Sequence, residues 1–301
     1  MKNKLIVITG PTASGKTRIA SEIASKLDGE IISADSRQVY KDMNLGTGKD
    51  YDDYIVFNKK IPYHLIDILE AGDEYNVFEF QNDFYKAFND IINRNKVPIL
   101  CGGTGMYIES VLKKYNFINV PLDTKFRETI KNKSNDELIE LLTALKKVHN
   151  TTDLIDRERL IRALEIEYFS LNTKNKTQTP DIDYKIFAIK YERNILRERI
   201  TERLKKRLEN GMINEVENLI NKGIDVNKLK YYGLEYKYIA MYLNNEIGFD
   251  EMFRLLNTAI HQFSKRQMTW LRKMERTGFE INWIDGELSN DEKLKKIIEN
   301  L

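Results

Sequence analysis

Residues 10–17 carry the strongest chemical pattern in the chain. They read Gly-Pro-Thr-Ala-Ser-Gly-Lys-Thr and match the pattern G-x-x-x-x-G-K-[ST] of a phosphate loop. Glycines allow successive backbone N–H groups to curve around a phosphate oxygen, Lys16 places a positive charge beside the outer phosphate, and the Thr17 hydroxyl can ligate Mg²⁺. The pattern lies between an apolar run and a helical pattern, as the motif requires. It therefore predicts a polyphosphate site without indicating which polyphosphate binds.

A second polar segment follows the next apolar run. Residues 33–40 read Ser-Ala-Asp-Ser-Arg-Gln-Val-Tyr. In doubly wound sheets ligands lie beyond the carboxyl ends of the strands, so Asp35 is predicted to face the same crevice as Lys16. A carboxylate there serves as a general base or helps to hold magnesium. The alternative from the residues alone is an Asx turn that ends a strand.

The third segment is the turn at residues 102–105, Gly-Gly-Thr-Gly, which follows a buried run and opens a helix. At the same sheet edge this turn would bring the Thr104 hydroxyl to the site, and a tight packing turn is the alternative. Cys101 is interpreted as a small buried residue rather than a nucleophile, because no histidine lies nearby in sequence to activate it.

The elements that must position these residues alternate between strand and helix. Apolar runs predict strands at residues 4–9, 30–34, 63–68, 97–101 and 184–191. Helical periodicity predicts the intervening helices at residues 17–27, 77–92 and 106–112. This order is typical of βαβ units. We therefore predict an α/β fold with a P-loop-type core, in which helices flank a parallel β-sheet.

The pattern changes at about residue 116. Strand signals fade, short amphipathic helices are expected, and residues 171–183 form a polar linker that contains a proline. Helices then fill the C-terminal part, which ends in a short strand at 280–284. We predict that residues 1–120 and 184–301 form the core with its C-terminal helices. Residues 121–183 are predicted to form a small all-helical insertion.

The composition excludes several classes of protein. The 301 residues are 42% hydrophobic and 31% charged, as in an ordinary globular protein, and a net charge of +2 excludes a histone-like polycation. One cysteine and three scattered histidines exclude a disulfide framework and are too few for a zinc site. The first apolar run is too short for a signal peptide, and no stretch is long enough to span a bilayer. We expect a cytoplasmic protein without membrane contact.

Three segments of the C-terminal half mix basic with aromatic residues: 190–207, 230–238 and 261–273. The first is also explained by charge pairs on a solvated helix face, and the second by a buried cluster of tyrosines. The third is also explained by an ordinary amphipathic helix. Together the three segments favour RNA as a partner.

Six blocks of the sequence resemble the tRNA dimethylallyltransferase (tRNA isopentenyltransferase) family. They are GPTASGKT, ISADSRQVYKDMNLGTGK, IPYHLIDILE, PILCGGTGMYIESVL, DRERLIRALE and SKRQMTWLR, and they cover almost the whole chain in the expected order. The resemblance implies transfer of a dimethylallyl group from dimethylallyl diphosphate to N6 of adenine 37, beside the anticodon of tRNAs that read codons beginning with U. It also implies a helical insertion that grips the anticodon stem-loop.

The resemblance also assigns roles to individual residues. Asp35 would accept a proton from the adenine amine, Thr104 would help to hold both substrates, and Lys16 would complete the catalytic set. Mg²⁺ would lie near Thr17. The diphosphate would be bound by Thr12, Ala13, Ser14, Gly15, Lys16 and Thr17. The flipped adenine and the rest of the tRNA would be contacted by Asp35, Ser36, Arg37, Gln38, Thr104, Arg159, Arg162, Lys265 and Arg266.

The chain departs from the family pattern at His261. Most members have an arginine there, which is thought to bind the diphosphate. We predict that His261 occupies this diphosphate position, although a histidine carries full charge only when protonated. Lys265 or Arg266 would then compensate for the missing cation. A monomer is expected.

Two other functions are compatible with the motifs alone. A P-loop small-molecule or nucleoside kinase would use Asp35 as its base and phosphorus as its electrophile. Such a kinase needs a short arginine-bearing lid, which is not evident among the basic helices of the C-terminal half. An RNA-binding ATPase without prenylation chemistry is the other alternative, and it predicts that replacing Asp35 removes no chemistry.

Overall fold

The computed structural model describes residues 4–117, 120–145, 154, 156–171 and 179–301. Two compact units make up the chain: Met1–Lys114 together with Pro180–Leu301, and Tyr115–Thr179. The predicted insertion at 121–183 overlaps the second unit, and residues 180–183 of it belong to the first. Much of the predicted linker at 171–183 lies outside the described residues.

A six-stranded sheet forms the centre of the first unit. Its strands are β1 (Lys4–Thr9), β2 (Gly29–Ser33), β5 (Tyr63–His64), β6 (Val97–Gly102), β7 (Asp183–Lys190) and β8 (Ile281–Asp285), and they lie in the order β5-β2-β6-β1-β7-β8. All five pairings are parallel. A separate antiparallel hairpin is formed by β3 (Ile55–Val56) and β4 (Lys59–Lys60). The predicted parallel sheet with flanking helices is confirmed.

Helices cover both faces of this sheet because its strands are apolar on both sides. In β1, Leu5 and Val7 pack on one face, and Ile6 and Ile8 on the other. Each fully buried side chain of this kind contributes about 1.5–3 kcal/mol relative to exposure. The helices of this unit are α1 (Lys16–Leu27), α2 (Val77–Asn93), α3 (Gly105–Leu112), α7 (Arg193–Glu209), α8 (Met212–Asn221), α9 (Val226–Tyr232), α10 (Leu234–Leu243), α11 (Phe249–Arg276) and α12 (Asn290–Glu299).

The second unit is helical where it is described. Its helices are α4 (Thr124–Ile130), α5 (Asn135–Leu145) and α6 (Arg157–Leu171). A small core joins them, in which Ile130, Leu138 and Leu160 are buried. Glu165 is buried beside this core and forms ion pairs with Arg127 and Arg162.

Several elements differ from the sequence-based expectation. The strand expected at 63–68 ends at His64, because Leu65 and Asp67 adopt left-handed backbone conformations that interrupt pairing (φ of 62° and 55°). Helix α12 and the β3–β4 hairpin were not expected. Among the tyrosines of 230–238, Tyr232 and Tyr236 are buried, which favours the structural explanation for these two. No helix in the described part of the chain is long and apolar enough for a membrane span.

Candidate active site

The phosphate loop, residues 10–17, joins β1 to α1. Gly10 and Gly15 have positive φ values of 152° and 77°, and a Cβ atom on Gly10 would lie 2.8 Å from the carbonyl oxygen of Ile189. Helix α1 begins at Lys16, and Gly15 precedes it in a left-handed conformation without a side-chain cap. The first N–H groups of the helix are thus available to an anion.

Lys16 lies within a group of mixed charges. Its ammonium donates a hydrogen bond to the Pro11 carbonyl at 3.4 Å. Burial lowers the pKa of Lys16; Cys101 and Asp35 act to raise it, whereas Arg203 acts to lower it. The predicted proximity of Asp35 to Lys16 across the sheet edge is consistent with this interaction.

Asp35 and Thr104 belong to two loops that are hydrogen bonded to each other. The backbone N–H of Ser36 donates to the Thr104 hydroxyl at 3.1 Å, and the backbone N–H of Thr104 donates to the Ala34 carbonyl at 3.1 Å. Asp35 accepts the N–H of Arg37 at 2.9 Å, which is the Asx-type contact given above as the alternative interpretation of this residue. Gly102 permits this approach, since a Cβ atom there would lie 2.2 Å from the Ala34 carbonyl oxygen.

Gln38 is buried between two segments of backbone. Its side-chain oxygen accepts the Ser33 hydroxyl at 3.1 Å, and its amide nitrogen donates to the Gly48 carbonyl at 3.1 Å. Both the oxygen and the nitrogen of the Gln38 side-chain amide are therefore hydrogen bonded within the protein. Ser36 and Arg37, by contrast, are partly exposed beside Asp35.

Three arginines on α7 approach the phosphate loop and its neighbour Asp50. They are Arg199, Arg203 and Arg207, and we call them the arginine row. Arg199 Nε donates to the Ala13 carbonyl at 3.0 Å, and Arg203 Nη1 donates to the Thr12 hydroxyl at 3.3 Å. Arg203 and Arg207 both pair with Asp50. These arginines lie in the basic segment 190–207, for which the sequence predicted RNA contact or solvated charge pairs rather than contact with the phosphate loop. Their four-residue spacing places them on one helix face.

Gln267 on α11 connects the phosphate loop to the Gly-rich turn at 102–105. Its side-chain oxygen accepts the Thr12 N–H at 2.8 Å, and its amide nitrogen donates to the Gly103 carbonyl at 3.1 Å. Gly103 has no space for a side chain, because a Cβ atom would lie 2.3 Å from that amide nitrogen. Trp270, one turn further along α11, packs on Gly105 in the same way. The bridging role of Gln267 was not predicted from the sequence.

His261 lies against α7. Its Nε2 is 3.3 Å from the Thr201 hydroxyl, and its Nδ1 is buried without a hydrogen-bond partner among the described residues. Burial lowers the pKa of the imidazole, with Arg197 acting in the same direction, which favours the neutral form. In the described chain, Arg199 and Arg203 rather than His261 contact the phosphate loop. The predicted diphosphate contact of His261 stays a prediction.

The remaining basic residues that were predicted to contact tRNA lie on two elements. Lys265 and Arg266 are exposed on α11, and the Arg266 guanidinium lies 5.8 Å from the centre of the Phe263 ring. Arg159 is exposed at the start of α6, in the second unit. Arg162 pairs with Glu165 within that unit and donates to the Val120 carbonyl.

Cys101 is buried, and burial raises the pKa of its thiol to about 12, so the thiol is neutral at ordinary pH. The interpretation of Cys101 as a small buried residue is confirmed. Thr17 acts in the opposite direction to burial and lowers the pKa of this thiol. In the described ranges no cluster of three or more His, Cys, Asp or Glu residues is arranged to hold a metal ion. A magnesium ion here would need oxygen ligands from its substrate, as is usual at phosphate loops.

Comparison with known proteins matches this chain to one family. The family model described as IPP transferase matches residues 38–274, and a model described as isopentenyl transferase matches residues 3–63. A tRNA dimethylallyltransferase 2 from Phocaeicola vulgatus is 52% identical, with alignment over 99% of this chain and 97% of the relative. A tRNA dimethylallyltransferase 1 from Geotalea uraniireducens is 50% identical over 95% of this chain and 94% of the relative.

Solved structures show the same architecture. A tRNA isopentenylpyrophosphate transferase from Bacillus halodurans has a TM-score of 0.73 at 29% identity, covering 99% of this chain and 95% of that one. A tRNA isopentenylpyrophosphate transferase from Staphylococcus epidermidis has a TM-score of 0.71 at 31% identity, covering 99% and 98%. Since the family model spans most of the sequence and relatives of similar length are half identical to it, this chain belongs to the IPP transferase family, that of the tRNA dimethylallyltransferases.

Proposed function

We propose that this chain transfers a dimethylallyl group from dimethylallyl diphosphate to N6 of adenine 37, next to the anticodon of tRNAs that read codons beginning with U. The observation that carries the proposal is the connection of the phosphate loop to the loops of Asp35 and Thr104, in a chain of this family. One loop suits a diphosphate, and the others offer a carboxylate and a hydroxyl at the same sheet edge.

The phosphate loop binds the diphosphate in this proposal. Backbone N–H groups of residues 13–17 surround the phosphate oxygens, since the Thr12 N–H is donated to Gln267, and Lys16 supplies a positive charge. Arg203, which contacts Thr12, is the second cation. As the bond between the allylic carbon and the diphosphate oxygen breaks, negative charge develops on the departing diphosphate, and fixed cations stabilise it without reorganisation.

Asp35 is the base. The lone pair of adenine N6 forms the new bond to the first carbon of the dimethylallyl group, the electron pair of the C–O bond leaves with the diphosphate, and the N6 proton passes to the Asp35 carboxylate. Ser36 and Thr104 fix the position of this loop through their hydrogen bond. The adenine must leave its stack to reach Asp35, so Ser36 and Arg37 beside it are proposed to contact the flipped nucleotide.

Magnesium fits the donor set next to Lys16. Thr17 presents a hydroxyl at the start of α1. The Asp35 carboxylate acts to raise the pKa of Lys16, so an acidic side chain also influences this region. Mg²⁺ prefers oxygen ligands and retains several waters, so one hydroxyl with the diphosphate oxygens is a sufficient set. When bound, the ion neutralises charge on the diphosphate. We propose Thr17 as its protein ligand.

Exposed cations are proposed to bind the tRNA backbone. They lie on α11 (Lys265, Arg266) and at the start of α6 (Arg159), and phosphates are the partners that such side chains bind most often. Arg162 forms an ion pair within its own unit, so its proposed RNA contact competes with Glu165.

Mass spectrometry of a digested anticodon stem-loop tests the function. An RNA with adenines at positions 36 and 37 is incubated with the protein, Mg²⁺ and dimethylallyl diphosphate, and a parallel reaction contains ATP instead. Addition of C5H8 to adenine 37 in the first reaction alone is expected. Addition in neither reaction, with ADP formed once small acceptors are supplied, would instead support the kinase.

A further inference from the structure

A cleft of about 560 Å³ lies beside the phosphate loop, and two of the cations that line it, Lys293 and Arg199, have no role in the function proposed above. It is bordered by Ser14, Gly15 and Arg18, by Tyr191 and Arg199, and by the segment that follows β8. We call it the outer cleft. Its volume is within the range of small-molecule sites, and Ile19, Ile195 and Leu288 supply apolar walls.

Lys293 lines the outer cleft and is unusual for a lysine. Lys293 is only 6% exposed, and no residue in the described ranges forms a hydrogen bond or an ion pair with its ammonium. The ammonium lies 5.8 Å from the centre of the Tyr191 ring. Lysine is almost never so buried unless it is paired, because removing an ammonium from water is costly.

A second cation lies at the same ring. The Arg199 guanidinium carbon is 4.6 Å from the centre of the Tyr191 ring, and its Nε donates to Ala13 in the phosphate loop. Burial lowers the pKa of Lys293, and Arg199 acts in the same direction. The cleft thus brings two like charges together, an arrangement that an anion would relieve.

The carboxylates around the cleft do not neutralise these cations. Glu22 pairs with Arg18 at 2.7 Å. Asp285 accepts the backbone N–H of Glu287, and both of these side chains are exposed. Asp285 and Glu22 act on Lys293 only as distant charges that favour its protonated form.

We propose that the outer cleft is a second anion site, which binds the phosphate group of a small soluble molecule through Lys293 and Arg199 over the Tyr191 ring. Two sources share this chemistry: free inorganic phosphate, and a nucleoside phosphate whose planar base packs on the apolar walls. Binding to a folded-state site stabilises the protein, so unfolding temperature measures occupancy independently of prenyl transfer.

The test removes the Lys293 ammonium in a background that already lacks the Lys16 ammonium. Lys16→Met removes the ammonium of the phosphate loop and serves as the background, so that the remaining response to phosphate comes from elsewhere. Thermal unfolding is then followed with increasing inorganic phosphate or ADP. At tenfold excess over the dissociation constant, we expect a rise of about 2–4 °C. The rise should disappear in Lys16→Met/Lys293→Met and persist in Lys16→Met/Lys295→Met, because Lys295 is exposed on the same helix.

Two further variants of Lys293 extend the test. Without ligand, Lys293→Met should unfold at a higher temperature than the parent, because methionine removes a charge that Arg199 repels and that no ion pair in the described residues offsets. Lys293→Arg should keep the response, since it keeps a cation in the cleft. A response to phosphate identifies the free ion, and a response to ADP alone identifies a nucleotide. An equal rise with and without Lys293, or no rise with either ligand, would overturn the proposal.

Discussion

The backbone N–H of Thr12 donates a hydrogen bond of 2.8 Å to the side-chain oxygen of Gln267, which lies 255 residues away in sequence. The side-chain amide nitrogen of Gln267 in turn donates to the carbonyl of Gly103 at 3.1 Å. One buried side chain therefore sets the spacing between the loop proposed to bind diphosphate and the turn that carries Thr104. The distance between the leaving group and the acceptor adenine depends on this spacing.

Replacement of Gln267 by glutamate tests this link. The carboxylate still accepts the Thr12 N–H but no longer donates to Gly103, and it adds negative charge beside the diphosphate. Leaving the buried Gly103 carbonyl unpaired costs about 1–3 kcal/mol, which corresponds to roughly a 5- to 150-fold change in an equilibrium constant. We expect kcat/KM for dimethylallyl diphosphate to decrease by a factor in this range. Gln262→Glu, at an exposed position of the same helix, is the control, and equal kinetics for the two variants would contradict the proposed link.

Arg203 and His261 are predicted to differ in their effect on the diphosphate. Arg203→Ala should raise KM for dimethylallyl diphosphate by roughly tenfold to a hundredfold, because it removes a hydrogen-bonding cation next to Thr12. His261→Gln should change this KM less than threefold or so, since its imidazole contacts Thr201 and favours the neutral form. Steady-state kinetics with Lys205→Ala as the exposed control on α7 compares the three. A larger effect at His261 than at Arg203 would restore the original prediction for the histidine.

The alternation of apolar runs and loops predicted most of the strands and helices of the core, because this pattern is set by residues that are close together in sequence. The strand at 4–9 was predicted with its observed bounds. The contacts of Arg203 and Gln267 depend on packing between segments that lie far apart in sequence, and a single sequence does not display such packing. For α12 a local signal existed: Ser289 and Glu292 form a capping box, which marks the start of a helix.

Asp35→Ala is expected to lower kcat by roughly a hundredfold or more, the usual size for a general base. The affinity for the anticodon stem-loop should remain within a few-fold, because exposed cations elsewhere supply the phosphate contacts. Single-turnover prenylation and filter binding measure the two quantities separately. Asp42→Ala is the control on the same segment, where the carboxylate pairs with Lys222 instead. Unchanged turnover in Asp35→Ala would reject its role as the base.

His261 should make the folded protein less stable in acid. Its folded-state pKa is lowered from 6.5 by burial, so at mildly acidic pH the unfolded chain binds more protons than the folded one. This contribution to the free energy of unfolding is present above the unfolded pKa and is lost as the pH falls through the folded one. Urea unfolding from about pH 7 to about pH 5 should therefore show a steeper loss for the parent than for His261→Gln. Parallel curves would show that the histidine is solvated.

Glu215 is predicted to be a main determinant of stability near the site. Its carboxylate accepts the backbone N–H groups of Asn44, Leu45 and Gly46, together with the Tyr236 hydroxyl. Glu215→Ala leaves these donors without an acceptor and should lower the free energy of unfolding by about 2–4 kcal/mol.

The control for this change is Glu217→Ala, an exposed residue on the same helix, for which we expect less than about 0.5 kcal/mol. The loop that Glu215 holds continues to Asp50, which pairs with Arg203, so KM for dimethylallyl diphosphate should rise in Glu215→Ala as well. Glu215→Gln retains one acceptor oxygen and should recover part of both losses. If Glu215→Ala lost stability without any change in KM, the loop would be structural only, and Arg203 would be positioned by α7 alone.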